Sequence, residues 1–222
     1  MTPPATDTRP VHLSRLTLNT RHPAVHRDLR DTGRMHRTVQ ALFPDNLGPA
    51  PRAATGTLYR VETERTGATV IIQSAIPINR NALPAGYAET VEYRDLAPLL
   101  DWLARGALMR YRIDANPTKG INGTKPSRHR PLFGQEAVDW WASRSRAAGM
   151  DCALILDIPQ PKLHSRPREK SMESRGITLS ATRFEGVARI TDPDAVRTAV
   201  TTGIGRGRAY GLGLLSLAPH RD

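Results

Sequence analysis

The sequence carries a single cysteine, Cys152, among 222 residues. One thiol closes no intramolecular disulfide and holds no zinc ion alone, so a reducing cytoplasm is the expected compartment. Its neighbours, Ala153-Leu154-Ile155-Leu156, predict a core strand and a buried, inert thiol. Apolar runs are short, Cys152 to Leu156 being typical, whereas a transmembrane helix needs roughly 18 such residues. No membrane partner is expected. Met1 to Pro10 is rich in Pro and Thr and has no apolar signal core, so it reads as a flexible extension. Aromatics are also few, 11 in all, and Trp140 and Trp141 sit in a helical pattern that suits a core. A platform of exposed rings for stacking unpaired bases is hard to assemble from such a set.

Positive charge, by contrast, is abundant. Lys and Arg number 32 against 21 Asp and Glu, a net charge of +11, and only four of the 32 are lysine. The arginine bias has two possible origins, genomic base composition and phosphate recognition by the guanidinium fork. The net charge concentrates polyanions in either case, and nucleic acid is the commonest cytoplasmic polyanion. With few rings to stack on, recognition of phosphate and shape in a structured RNA stem fits best. A 39% hydrophobic share is enough to fill the core of one large domain or of two domains of about 100 residues each.

Periodicity supplies the order of elements. Val11 to Leu18 reads as a central strand, Pro23 to Arg30 as a helix, Asp31-Thr32-Gly33 as a break, and Arg34 to Phe43 as a second helix. Thr57 to Glu62 and Ala68 to Ser74 read as a hairpin, followed by a Pro/Asn/Gly loop and an extended stretch near Glu89 to Tyr93. Leu96, Leu99, Leu100 and Leu103 mark a bridging helix. Strands at Met109 to Ala115, Asp151 to Ile158, Ile177 to Ile190 and Leu212 to Leu217 then alternate with helices at Gln135 to Ala148 and Asp194 to Thr202. That is the βαββαβ order of a ferredoxin-like domain. The first half follows it less cleanly because its second helix is poorly marked.

Two long segments are basic. Asn116 to Arg130 carries Lys119, Lys125, Arg128 and Arg130 with His129, and Pro159 to Arg175 carries Arg166, Arg168, Lys170 and Arg175 between two strands. Loops of this length are functional or disordered; a solvated tether is the alternative. The segment Gly203 to Gly213 matches neither GxGxxG nor GxxxxGK[ST], which excludes the usual dinucleotide and triphosphate loops. Gly205 and Gly207 let backbone approach a phosphate, and Arg206 and Arg208 add charge. A glycine-rich turn with solvated arginines is the alternative.

Catalytic metal motifs are missing: there is no HExxH, no CxxC and no cluster of carboxylates, so neither metal nor other cofactor is expected. His36 lies on the shoulder of a stripe formed by Met35, Val39 and Leu42, beside Arg34 and Arg37. Those charges and the positive helix end favour a neutral imidazole, available as a base. From residues alone, an ordinary, partly buried histidine remains the competing reading.

Taken in order, LSRLTLNTRH, RDLRDTGRMHRTVQALFP, TLYRVE, RYRIDANPTK, HRPLFGQEAVDWW and GIGRGRAYGLGLLSLAP resemble the CasE (Cse3) family, the CRISPR-associated endoribonucleases of type I-E Cascade. The resemblance spans about Leu13 to Pro219. It implies an α+β fold of two tandem ferredoxin-like (RRM-like) domains, here 11–93 and 107–222 joined by a linker helix over 94–106, after the extension 1–10. It also implies metal-independent cutting of precursor CRISPR RNA at the base of the repeat hairpin, and retention of the product among the other Cascade subunits. Attack by the 2′-hydroxyl would leave a 2′,3′-cyclic phosphate and a 5′-hydroxyl. The family's catalytic histidine falls on His36. The family tyrosine three residues earlier is replaced by Gly33, which leaves Arg37 or Tyr210 for the second catalytic role. The segment with Arg166, Arg168, Lys170 and Arg175 resembles the arm that enters the RNA groove, and Arg34, Arg128, Arg130, Arg206 and Arg208 are further candidates for RNA contact. A noncatalytic repeat-binding subunit of Cascade is the rival reading, and a general RNA chaperone a third.

Overall fold

A computed structural model describes residues 11–48, 54–121, 128–166 and 176–220. In chain order the first half contains β1 (His12–Leu18), α1 (Pro23–Leu29), α2 (Thr32–Gln40), β2 (Leu58–Glu64), β3 (Gly67–Ser74) and β4 (Ala88–Asp95). After α3 (Ala97–Trp102) come β5 (Leu108–Ala115), β6 (Thr118–Ile121), β7 (Arg128–Pro131), α4 (Gln135–Ala147), β8 (Met150–Pro159), β9 (Leu163–Ser165), β10 (Ile177–Leu179), β11 (Thr182–Ile190), α5 (Pro193–Thr202) and β12 (Ser216–Pro219). Two four-stranded antiparallel sheets result, ordered β2-β3-β1-β4 and β12-β5-β11-β8. Within each unit the strands lie fourth, first, third, second, as the βαββαβ pattern requires. The fold is therefore two ferredoxin-like units. In the first, the place of the second helix between β3 and β4 is taken by a 3-10 turn at Arg80–Ala82.

Local chemistry sets the helix starts. His22 caps α1, its Nδ1 accepting from the Ala24 N–H at 3.2 Å, and Pro23 opens the helix. Asp31 caps α2: Oδ1 accepts from the N–H groups of Gly33 and Arg34 at 2.9 and 3.1 Å. Residues 31–33 are thus the beginning of the helix, not a break before it. Each unit has its own core. Leu16, Leu18, Met35, Val39 and Ile72 lie in the first; Trp141 and Phe184, stacked 5.5 Å apart, lie in the second.

Other expectations change in detail. Part of the 116–130 loop is a hairpin, β6 on β7. The expected strand from Ile177 breaks at Ser180-Ala181, so β10 folds back on β9 while β11 joins the sheet. The last strand begins at Ser216 rather than Leu212, because Gly211 and Gly213 take φ of +84° and keep the chain out of the sheet until then. β8 is not a buried strand. It forms a sheet edge, and Leu154, Leu156 and Ile158 remain 49%, 50% and 43% exposed; an apolar run does not distinguish a covered face from an open one. Cys152 is half-buried, and burial pushes its thiol pKa up.

Polar side chains lock the units together. Arg60, only 2% exposed, donates to Glu62 at 2.9 Å within its own strand and across the junction to the Leu214 carbonyl and the Ser216 hydroxyl at 3.3 and 3.0 Å. Arg112 bridges Glu62 at 3.1 Å and Glu185 at 2.8 Å. Burial works against the Glu62 carboxylate, yet Arg60 and Arg112 together hold its pKa below the ordinary range. Gln73 adds a 2.7 Å bond from Nε2 to the Val200 carbonyl.

Candidate active site

Helix α2 is anchored from below. The buried Asp28 carboxylate accepts from Thr38 Oγ1 on α2 at 2.6 Å and from the Tyr87 hydroxyl at 2.8 Å, so α1, α2 and the bend just before β4 share one polar knot. Met35, Val39 and Leu42 are buried and His36, half-buried, sits at their shoulder. Arg34 and Arg37 are exposed on the same helix.

The second unit supplies the other side of the site. Its glycine-rich loop brings the Tyr210 ring to 5.9 Å from the His36 ring, centroid to centroid, at an interplanar angle of 56°. Two bonds fix the loop there. Thr32 Oγ1 on the first turn of α2 donates to the Tyr210 carbonyl at 3.1 Å, and the Tyr59 hydroxyl donates to the Ala209 carbonyl at 3.2 Å. Burial raises the Tyr59 pKa far above the ordinary phenol value, which keeps that donor protonated. Glycine is required where the loop crosses β2: Gly211 has φ of +84°, and a Cβ there would press on the Tyr59 ring at 3.1 Å. The loop curls round an open hollow of about 320 Å³ formed by residues Gly205 to Tyr210.

A third element closes on the same helical turn. The base of the basic arm, β9, packs so tightly against Gly33 that a Cβ at position 33 would overlap Ser165 Oγ. The Arg166 N–H reaches the free oxygen of the capping Asp31 at a long 3.4 Å. The first turn of α2 is therefore where the histidine helix, the glycine-rich loop and the arm meet.

The other expected residues are dispersed around this junction. Arg166 is exposed at the arm base. Arg206 is exposed, its guanidinium 3.2 Å from His129 Nε2. Arg208 instead donates to the Thr202 carbonyl at 2.8 Å and closes the end of α5. Arg130 makes a two-pronged pair with Glu136, at 2.6 and 2.9 Å, on an exposed surface. A Cβ at Gly205 would lie 3.3 Å from the Trp140 ring, and one at Gly207 would press on Leu212 and Leu179 at 3.0 and 3.2 Å. Arg128 occupies β7 opposite Ile121. Arg168, Lys170 and Arg175 lie outside the described residues, as does the 1–10 extension. Sequence reasoning missed Asp28, Asp31, Thr32, Tyr59 and Ser165. Only Asp31, an Asp ahead of an apolar helical stripe, carried a readable signal, that of a helix cap.

Chemically, the junction combines a titratable imidazole, a phenol and cationic side chains around a surface open to a polyanion. Among the described residues no three His, Cys, Asp or Glu side chains form a metal-binding group, and no helix is long and apolar enough to cross a membrane.

The sequence profile of the CRISPR-associated proteins matches residues 11–219. The chain belongs to this family. Among its CRISPR-associated relatives, the CRISPR-associated endoribonuclease Cse3 of Thermus thermophilus is 29% identical over 218 residues, covering 93% of this chain and 99% of the relative. The CRISPR system Cascade subunit CasE of Escherichia coli K12 is 29% identical over 202 residues, 86% of this chain and 93% of CasE. The structure of Cse3 bound to a 19-nucleotide RNA superposes with a TM-score of 0.80 at 27% identity, covering 94% of this chain and all of that one. The likeness to CasE and Cse3 read from the motifs thus extends through the sequence and the fold.

Proposed function

We propose that the protein is the endoribonuclease that processes CRISPR RNA, cutting each repeat at the base of its hairpin and keeping the product as a subunit of Cascade in the cytoplasm. The reading is carried by the His36–Tyr210 juxtaposition at the meeting point of three elements, in a member of a family that includes an RNA-bound endoribonuclease. The cut is metal-independent: the ribose 2′-hydroxyl beside the scissile phosphate attacks in line, the 5′-oxygen leaves, and a 2′,3′-cyclic phosphate and a 5′-hydroxyl result. His36 moves one of the two protons. Tyr210, replacing the tyrosine that the family carries where this chain has Gly33, assists the other, while Arg34 and Arg37 stabilise the charge that builds on the phosphorane. The basic arm, whose base carries Arg166, grips the stem, with Arg206 and the glycine-rich loop beside it.

A second reading rests on Gly33 itself. With Ser165 occupying the space of a side chain there, the chain has lost the family phenol at that position, and a subunit that binds the repeat without cutting it would show the same exchange. Labelled repeat RNA incubated with the protein in excess EDTA separates the two. The endoribonuclease yields one cut, a cyclic-phosphate end, and no cut when the nucleotide before the site is 2′-deoxy. Tight binding of intact RNA with no cut establishes the binding subunit instead.

A further inference from the structure

Between α1, α2 and the face of the second sheet lies a cavity of about 450 Å³ that shares Tyr210 with the proposed chemistry and is otherwise not used by it. Leu29, Met35, Val61, Leu163 and Leu212 give it apolar walls. Thr32 and Tyr210 border it as well, so it adjoins the ring that lies 5.9 Å from His36. Its two acidic groups are engaged by the fold: Asp28 accepts from Thr38 and Tyr87, and Asp114 pairs with Arg183 at 2.7 Å. Two of its cations are different. Arg30 on the α1 side and Lys162 at the foot of the arm are exposed, and neither forms an ion pair among the described residues. The cavity thus combines apolar walls with two exposed cations that no carboxylate among the described residues neutralises.

That distribution selects its occupant. The volume lies within the roughly 300 to 1,000 Å³ of small-molecule sites, too narrow for a duplex stem and sufficient for one nucleotide. A nucleobase is flat and largely apolar on its faces, and its phosphate requires cations at the entrance. We propose that this cavity is a subsite for one unpaired nucleotide of the RNA, adjoining the cut, with its base between Leu163, Leu212 and the Tyr210 ring and its phosphate held by Arg30 and Lys162. The inference rests on the reading of the protein as an RNA-processing enzyme and adds a position at which unpaired sequence is sensed. A base seated there holds the strand that crosses His36 in one register, a task the stem-gripping arm performs only from a distance.

The test is a set of repeat RNAs in which each unpaired nucleotide flanking the stem is made abasic in turn, measured for affinity and for single-turnover cleavage with wild type and with the double variant Arg30→Ala/Lys162→Ala. Both side chains are exposed, so the variant keeps its fold, checked by an unchanged melting temperature. One abasic position is expected to weaken wild-type binding about tenfold. The same lesion should cost the double variant less than twofold, and the variant's salt dependence should be shallower by about one unit of slope. If no unpaired position is sensitive, or the penalty stays at full size in the double variant, the subsite is overturned. Failure of wild type to cut intact RNA would overturn the nuclease reading instead, and the affinity arm would still decide the subsite.

Discussion

The two ferredoxin-like units share a strand order but differ in how their connections are used. The second is complete: α4 and α5 both cover its sheet, and the stacked Trp141 and Phe184 centre its core. From that rigid base it projects the β6–β7 hairpin, the β9–β10 arm and the glycine-rich loop. The first unit lacks its second helix and carries α1 and α2 in one connection, joined through the buried carboxylate of Asp28. Its contribution is the first turn of α2 with the half-buried His36 on it. On the proposed reading, one unit holds the reactive group while the other delivers what surrounds it, so each half depends on the other for the site. Loops can be placed this accurately because Arg60, Glu62, Arg112 and Gln73 fix the units against each other.

Four changes sharpen or break that division, from the largest expected effect to the smallest. If the second unit supplies a reacting group, Tyr210→Phe lowers single-turnover cleavage about 100-fold with RNA affinity unchanged; an undiminished rate would confine the loop to holding RNA. If the first unit depends on its polar knot, Asp28→Ala strands the hydroxyls of Tyr87 and Thr38 and costs about 2 kcal/mol in a denaturant titration. If the arm base and α2 fit only through glycine, Gly33→Tyr does not restore the family arrangement but lowers cleavage about tenfold by displacing Ser165, and Ser165→Gly in the same chain recovers part of the loss. Smallest is the response to acid. The Glu62 pKa is depressed in the folded state, so its stabilising contribution is complete above the unfolded glutamate value of about 4.3 and is lost as pH falls through the lower folded value. Melting temperature should therefore drop more steeply below pH 4 in wild type than in Glu62→Gln.

Much of the scaffold was legible in the sequence because alternation and helical periodicity report directly on sheets and amphipathic helices. The hairpin from β2 to β3, the helix at 135–147 and the βαββαβ order of the second unit were all visible in that way, although β6, β7 and the β9–β10 pairing were not. The stripe of Met35, Val39 and Leu42 also placed His36 correctly at its edge. What stayed hidden depends on long-range contacts. Nothing local marks the Thr32–Tyr210 bond, which joins residues 178 positions apart, or the fit of Ser165 over Gly33. Exposure of β8 was hidden for a different reason: its apolar run matches a buried strand, and only the folded structure shows that Leu154, Leu156 and Ile158 are left uncovered.

The most direct test of the account compares wild type with His36→Ala on the same repeat RNA in excess EDTA, following both single-turnover cleavage and affinity. Cleavage is expected to fall by about 10³-fold or more while affinity changes less than twofold. Equal losses of cleavage and binding, or a variant that still cuts at the wild-type rate, would contradict the claim that this imidazole performs the chemistry.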